Sequence, residues 1–344
     1  MFGTLRLFLA ILVVYTHLGP PHGSSLGKHA VFGFYVLSGY LMTRVLNEIY
    51  RFRIGPFALN RFLRLYPMYL LVAVLSVPAV IFLDDPGEFN NRYGMPDGAW
   101  PWLQSFLLLP TVNMPPFRLV PVSWSIAVEL INYAILCAFS ARNSRFAWMA
   151  FVVSVAVHAV VLLVTDDHNV RYFPWYAAML PFSVGALSYF YGKDVMQALA
   201  RLSRHWRLMV GAGWAGILAI AFYLGAIDRL APEIVSYLSI VSMGTIVIAL
   251  QDLKPGNADK AMGELAYPIF LTHYLVAVAV DRLILGSMPR GLILFFVSLI
   301  VMLVLSQVLV VLQRAFVDPI RDRVREEGRA KQPFIATATM RRSF

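Results

Sequence analysis

The chain has 344 residues, of which 59% are hydrophobic and 14% are charged. An ordinary soluble domain has about 25% charged residues, so the composition excludes a soluble globular protein and predicts an all-α polytopic membrane protein. The net charge of +10 would suggest nucleic-acid binding in a soluble chain, but here the positions of the charges decide. A single cysteine, Cys137, excludes an intramolecular disulfide, so the fold must depend on helix packing.

Each membrane-spanning helix needs about 20 apolar residues. This length predicts ten transmembrane helices and leaves no separate soluble domain. The predicted spans are residues 4–19, 30–48, 65–83, 122–140, 145–164, 174–192, 207–226, 232–250, 264–285 and 291–313. We therefore interpret residues 1–313 as a transmembrane domain and residues 314–344 as a basic cytoplasmic tail.

The distribution of basic residues predicts the orientation. With a cytoplasmic amino terminus, 22 of the 29 lysine and arginine residues lie in the inner loops or the tail. The positive-inside rule then predicts that both termini are cytoplasmic, and we expect a multi-pass protein of the inner membrane. The apolar segment from Trp100 to Thr111 is too short to cross, so we interpret it as re-entrant or interfacial. We interpret the polar loop from Asp84 to Gly98 as the rim of a substrate site on the outer side.

His17 lies near the end of the first apolar run, eleven residues after Arg6, a distance of about 16 Å along a helix. An ionisable group at this depth indicates a functional site, and a neutral imidazole suits a general base. The alternative is a histidine that only bonds a neighbouring helix. Glu129, in the fourth span, is a natural partner for His17 or for an arginine because a buried carboxylate must pair or become neutral. Its alternative role is to hold helices together.

Arg61 and Arg64 precede the third span, and Arg44 lies near the end of the second. A three-residue spacing places Arg61 and Arg64 on one helical face, where two guanidinium groups could bind phosphate oxygens. The alternative is the ordinary basic character of a cytoplasmic loop.

The second span contains Ser38, Gly39 and Tyr40. Small residues in a membrane helix usually indicate close packing, but Gly39 could also admit a ligand chain close to the backbone. The remaining polar or aromatic candidates for substrate contact or support are Tyr15, Ser123, Trp124, Tyr133, Tyr267 and His273. No His, Cys or carboxylate cluster has ligand spacing on one helix, so we expect no metal site.

Taken in order, these motifs resemble the acyltransferase 3 family of integral-membrane acyltransferases. The resemblance consists of Arg then His in the first helix, aromatic-x-x-Ser-Gly in the second, Arg-x-x-Arg before the third, Trp-Ser-x-x-x-Glu in the fourth and Tyr-Pro-Ile-Phe-Leu-Thr-His in the ninth. It spans nearly all ten helices and excludes the tail. Three positions differ from the family pattern: Gly3 replaces an acidic residue, Tyr35 the second Phe of Phe-Phe, and Asn132 the Phe of Phe-Tyr.

The resemblance implies transfer of an acyl group, usually acetyl, from cytoplasmic coenzyme A to a hydroxyl of an envelope glycan or lipid-linked sugar. His17 would be the essential histidine and Arg61 and Arg64 the coenzyme A contacts. Ser38, Gly39, Glu129, Tyr267 and His273 would be the surrounding signature positions. We expect a single tunnel to join the arginine pair to His17, with Glu129 orienting the imidazole. Direct transfer and an acyl-histidine intermediate are both compatible with these residues.

A rival hypothesis is a proton-coupled transporter or flippase of lipid-linked sugars, with His17, Glu129 and His273 as a proton relay. The sequence has no internal repeat of the kind that many transporters contain. A non-catalytic scaffold would leave the arginine pair unexplained.

Overall fold

Helices follow the apolar stretches of the sequence. The computed structural model describes residues 1–21, 25–83, 90, 92–109, 118–227 and 233–330. The α-helices within these ranges are α1 Phe2–Leu18, α2 Leu26–Val45, α3 Ile54–Phe82, α4 Ala99–Leu107, α5 Ser123–Ile135, α6 Ser144–Val164, α7 His168–Tyr172, α8 Met179–Leu202, α9 Trp206–Ala226, α10 Glu233–Leu250, α11 Asn257–Val280, α12 Leu292–Leu312 and α13 Asp318–Ala330. These ranges contain no β-strand, only an isolated bridge between Tyr93 and Arg118.

Seven helices in the described ranges are long and apolar enough to cross a membrane: α3, α5 with its π-helical continuation, α6, α9, α10, α11 and α12. In α6 and α9 only 17% of the most apolar 18-residue stretch of each helix is buried. Apolar side chains therefore cover the outer faces of these helices, as a lipid environment requires. The protein is therefore an all-α polytopic membrane protein. The predicted spans at 4–19, 30–48 and 174–192 also form helices: α1, α2 and α8.

Two predicted features lie partly outside the described residues. Of the loop from Asp84 to Gly98, residues 84–89 and 91 are not described, and the apolar segment that ends at Thr111 is described only to Leu109. Its visible part contains α4, a helix of nine residues. At about 1.5 Å per residue this helix is too short to cross a bilayer.

The first part of the segment that the sequence predicts as a basic tail is helical. The predicted boundary after residue 313 falls inside a helix, because α12 continues through a π-helical turn, Gln313–Val317, directly into α13. Helix α13 packs against the start of α3. Arg53 of the segment before α3 donates hydrogen bonds to the carbonyl oxygens of Glu327 and Gly328, at 2.8 and 2.9 Å. Only residues 331–344 of the predicted tail lie outside the described structure.

Glycines bring α2 and α8 into backbone contact. A Cβ atom on Gly39 would lie 2.4 Å from the carbonyl oxygen of Phe182, and one on Gly185 would lie 2.2 Å from that of Val36. Small residues allow such close approach and the dispersion contacts that follow from it. Of the two interpretations of Gly39, the structure therefore supports helix packing and not contact with a ligand.

A second close contact joins α1 to α11 and explains why residue 3 is glycine. A Cβ atom on Gly3 would lie 1.7 Å from the carbonyl oxygen of Asp259. The Asp259 carboxylate accepts hydrogen bonds from the backbone N–H and the hydroxyl of Thr4, at 2.9 and 2.8 Å. Helix α11 thus supplies an acidic group near the start of α1. This group accepts a hydrogen bond from a backbone N–H of the first turn of α1, which has no partner within its own helix.

The glycine contact between α2 and α8 can be tested by adding a methyl group. We expect Gly185→Ala to destabilise the fold by about 1–3 kcal/mol, because the methyl group would overlap α2 backbone atoms that cannot move aside. Thermal unfolding of the purified protein in detergent measures the effect. Gly216→Ala in α9 is the matched control, since no atom lies within 4 Å of the position of its Cβ. Equal melting temperatures for the two variants would contradict the proposed packing constraint.

Candidate active site: two adjoining cavities

The larger cavity, of about 370 Å³, is bordered by five guanidinium groups. We call it the arginine cavity and define it by Arg6 of α1, Arg61 and Arg64 of α3, and Arg321 and Arg325 of α13. Three helices far apart in sequence therefore direct their basic residues toward the same space.

The other side of the arginine cavity contains a carboxylate with two hydroxyl donors. Ser38 donates a hydrogen bond of 2.5 Å to Glu129, and the Tyr133 hydroxyl donates to the same carboxylate oxygen. The Tyr267 hydroxyl also lines the cavity and donates to the carbonyl oxygen of Leu65 at 2.8 Å. The sequence-predicted residues Arg61, Arg64, Ser38, Glu129, Tyr133 and Tyr267 all meet here.

Like charges crowd this cavity. Arg6, Arg61 and Arg64 are near enough for their charges to repel one another, and Glu129 is the only acidic side chain among the described lining residues. Arg61 donates to Asn60 at 2.6 Å, but its Nε is buried and has no hydrogen-bond partner in the described structure. Repulsion is strong where water is scarce, so an anionic ligand would stabilise this arrangement.

The smaller cavity, of about 180 Å³, contains His17, and we call it the histidine cavity. Its lining combines aromatic rings with a few polar groups, as small-molecule sites often do. The lining residues with polar or aromatic side chains are Thr16, His17, Lys28, Asn90, Arg92, Trp124, His168, Tyr172, Phe173, Phe270 and Tyr274.

His17 is held by Tyr274 and His273. The Nδ1 atom of His17 lies 2.7 Å from the Tyr274 hydroxyl, which also accepts a hydrogen bond of 2.8 Å from Asn90. The rings of His17 and His273 are stacked with centroids 5.3 Å apart. Nδ1 of His273 donates to the carbonyl oxygen of Phe270 at 2.7 Å, because a carbonyl can only accept. This bond fixes the orientation of the ring that supports His17.

Glu129 does not pair with His17, contrary to the sequence prediction. Its carboxylate is bonded to Ser38 and Tyr133 in the arginine cavity, whereas His17 lies in the histidine cavity. The group that orients the imidazole is the Tyr274 hydroxyl. Glu129 instead offsets part of the arginine charge.

Val31 and Phe270 line both cavities and form the apolar boundary between them, which we call the wall. Both side chains are largely buried, with 6% and 9% of their surface exposed. The space that the sequence predicts as a single tunnel is thus described as two adjoining cavities, and Val31 and Phe270 form the apolar boundary that they share. His17 and the arginine groups lie on opposite sides of that wall.

Several predicted site residues lie outside both cavities. Arg44 is exposed and forms an ion pair of 2.9 Å with Glu48 on the same helix. Tyr40 lies 3.5 Å from Gln251, and the Tyr15 ring packs against Phe295. Like Gly39, these residues have packing or surface contacts. Trp124, in contrast, lines the histidine cavity.

Ser123 also lies outside the cavities and has a structural contact. It accepts a hydrogen bond of 2.9 Å from Arg118, a loop arginine that is only 1% exposed. Burial lowers the pKa of Arg118 to about 10, so its guanidinium is still charged at neutral pH. The Arg118 backbone N–H donates to the carbonyl oxygen of Arg92 at 2.7 Å, and this bond ties the loop to the edge of the histidine cavity.

Sequence reasoning missed the site roles of Asn90, Tyr274, Arg321 and Arg325. Tyr274 follows His273 directly, and this position could have indicated it. The basic pair in α13 has a four-residue spacing, so both residues lie on one helical face. Asn90 gave no signal, because it lies in a loop rich in turn residues.

In the part of the chain that the structure describes, no group of three His, Cys, Asp or Glu residues could hold a metal ion. Comparison with curated proteins and with solved structures gives no match. The profile of the acyltransferase 3 family, described as an acyltransferase domain, matches residues 3–311. The matched range contains His17, Arg61, Arg64 and Glu129, and it ends before α13. The protein is therefore a member of the acyltransferase 3 family, a multi-pass membrane acyltransferase.

Proposed function

We propose that the protein transfers an acyl group, usually acetyl in this family, from cytoplasmic acyl-coenzyme A to a hydroxyl of an envelope or exported glycan or lipid-linked sugar. The observation that carries this proposal is the juxtaposition of an arginine cavity and a histidine cavity across one wall of Val31 and Phe270. The ten-span topology with both termini cytoplasmic belongs to the proposal and places the arginine cavity on the cytoplasmic side of the inner membrane.

The donor phosphates fit the arginine cavity. Guanidinium groups bind phosphate through paired, charge-assisted hydrogen bonds, and Arg6, Arg61 and Arg64 stand together with little negative charge nearby. Arg44 is not part of this proposal, because it lies outside the described lining of the cavity and pairs with Glu48 at the surface. Ser38 and Tyr267 line the same cavity and offer hydroxyl groups to the rest of the donor.

The pantetheine arm is long enough to reach the wall. Its twelve or so bonds from phosphate oxygen to sulfur, at the reach per bond of an extended polypeptide, span about 14 Å. Arg6 and His17 are separated by eleven residues of α1, which is about 16 Å. Phosphates held near Arg6 therefore bring the thioester close to the level of His17. A change in the side-chain conformation of Phe270 would let the acyl group pass.

His17 is the general base of the proposed reaction. The proposed mechanism uses the tautomer with its hydrogen on Nδ1, 2.7 Å from the Tyr274 hydroxyl oxygen, so that the lone pair of Nε2 can accept the proton of the acceptor hydroxyl. The acceptor oxygen attacks the thioester carbonyl, the carbon–sulfur bond breaks, and the coenzyme A sulfur takes the proton from the imidazolium. Atoms and charges balance without any further reactant.

The histidine cavity suits a sugar acceptor. Trp124 contacts the rings of Tyr172 and Phe173 edge to face, with centroids 5.2 and 4.6 Å apart, so the cavity has an aromatic surface on which a sugar ring can pack. Asn90 and Arg92 add polar groups that can bind sugar hydroxyls.

Loss of an arginine should weaken donor binding. We expect Arg61→Gln and Arg64→Gln each to raise the dissociation constant of coenzyme A by about 10- to 100-fold, since each removes a charge-assisted contact worth about 1.5–3 kcal/mol. Titration of coenzyme A into the protein in nanodiscs measures this constant. Arg145→Gln is the control, because Arg145 is an exposed arginine outside the cavity. Equal constants for all three variants would refute the donor site.

Loss of the imidazole should abolish transfer but not donor binding. In membranes that contain His17→Ala, we expect label from acetyl-coenzyme A to enter the glycan fraction at least about 100-fold more slowly. The coenzyme A dissociation constant and melting temperature should stay near the wild-type values. A fully active His17→Ala protein would exclude the proposed base.

Tyr274 is proposed as a positioning residue for His17. We expect Tyr274→Phe to lower the turnover rate about tenfold at an unchanged coenzyme A dissociation constant, because the imidazole loses its only hydrogen bond in the described structure. The pH dependence of the turnover rate should also change, because the Tyr274 hydroxyl no longer contacts the imidazole that takes up the proton. A merely structural tyrosine would lower the melting temperature and leave the pH profile unchanged.

A further inference from the structure

Helix α13 lies beyond the family-matched residues and yet contributes to the arginine cavity. The match ends at residue 311, whereas Arg321 and Arg325 of α13 line the cavity together with Arg6, Arg61 and Arg64. A basic segment at a cytoplasmic surface is usually solvated or held near anionic lipid. The contacts of α13 indicate a different role.

Specific contacts fix α13 against the cavity. Asn60 of α3 donates to the carbonyl oxygen of Arg321 at 3.3 Å. Gly328 faces the ring of Tyr50 so closely that a Cβ atom there would lie 2.9 Å from it. Val324, between the two arginines, is 9% exposed. With the bonds from Arg53, these contacts hold both ends of α13.

The two arginines of α13 differ in their surroundings. Arg321 forms an ion pair of 2.5 Å with Asp318, but its Nε is buried and has no hydrogen-bond partner in the described structure. Arg325 is exposed at the edge of the cavity. Arg323 is also exposed and is not among the described residues that line the cavity. The helix thus presents two of these three arginines to the cavity.

The positive charge around the cavity is close in size to the negative charge of coenzyme A only when the arginines of α13 are included. The diphosphate and the 3′-phosphate together carry about four negative charges at neutral pH. Arg6, Arg61 and Arg64 against Glu129 leave an excess of two positive charges, and the α13 arginines raise the excess to four. Asp318 offsets part of this charge from outside the lining.

We propose that α13 is a part of the donor site, in which Arg321 and Arg325 bind phosphate groups of acyl-coenzyme A. This inference rests on the proposed function. The thioester end of the donor must point toward His17, so the nucleotide end lies at the α13 edge. Arg325, as the outermost group, binds the 3′-phosphate, and Arg321 binds the diphosphate together with Arg64.

Binding of three probes to the full chain in nanodiscs tests the inference: coenzyme A, dephospho-coenzyme A and pantetheine. We expect Arg321→Gln and Arg325→Gln each to raise the dissociation constant of coenzyme A about tenfold. Arg325→Gln should leave the constant for dephospho-coenzyme A unchanged, since this probe lacks the 3′-phosphate. Neither substitution should change the constant for pantetheine. Arg323→Gln is the matched control, because it removes the same charge from the same helix.

The outcomes separate this inference from the proposed function. If wild-type protein binds coenzyme A and the Arg321→Gln, Arg325→Gln and Arg323→Gln variants bind it equally well, the role of α13 is refuted and the donor site on α3 stands. If wild-type protein does not bind coenzyme A, both proposals fall. A melting temperature for each variant identifies any loss of binding that comes from unfolding.

Discussion

Repulsion among arginines is the constraint on which the rest of the site depends. Arg6, Arg61 and Arg64 are half-buried and face one cavity with a single carboxylate among its described lining residues, where charge is screened less than in bulk water. Buried like charges are costly unless a counterion compensates them. The glycine contacts that hold α1 against α11 and α2 against α8 keep the cavity walls in place despite this cost. A fold arranged in this way is ready to receive a polyanion.

The residues Val31 and Phe270 lie between the positively charged arginine cavity and the proposed base. In the proposed reaction the phosphates stay with the guanidinium groups, because the apolar side chains at this boundary offer an anion no polar contact. Only a thin and nearly neutral arm needs to cross it. His273 contacts both the proposed base and a residue of the wall. Its ring packs on His17, and its Nδ1–H donates to the backbone carbonyl oxygen of Phe270.

The imidazole depends on groups from two segments that are distant from it in sequence. Tyr274 comes from α11 and Asn90 from a loop, and together they form a chain of hydrogen bonds that ends at His17. The buried Arg118 ties a neighbouring loop to the cavity edge through the Arg92 backbone. Glu129 has the character of a catalytic carboxylate in the sequence, but its position beside Ser38 and Tyr133 gives it an electrostatic role in the other cavity.

The sequence by itself determined the membrane class and the all-α character, and it indicated several of the charged residues that line the two cavities. Apolar length and rare intramembrane charges are local properties, and they indicated His17, Arg61, Arg64 and Glu129 without any knowledge of the fold. Only the tertiary structure decided which of these groups meet. Helix packing set Glu129 with the arginines, divided the expected tunnel at Val31 and Phe270, and folded α13 back onto the cavity. Such contacts join residues up to hundreds of positions apart, and hydrophobic periodicity along the chain carries no information about them.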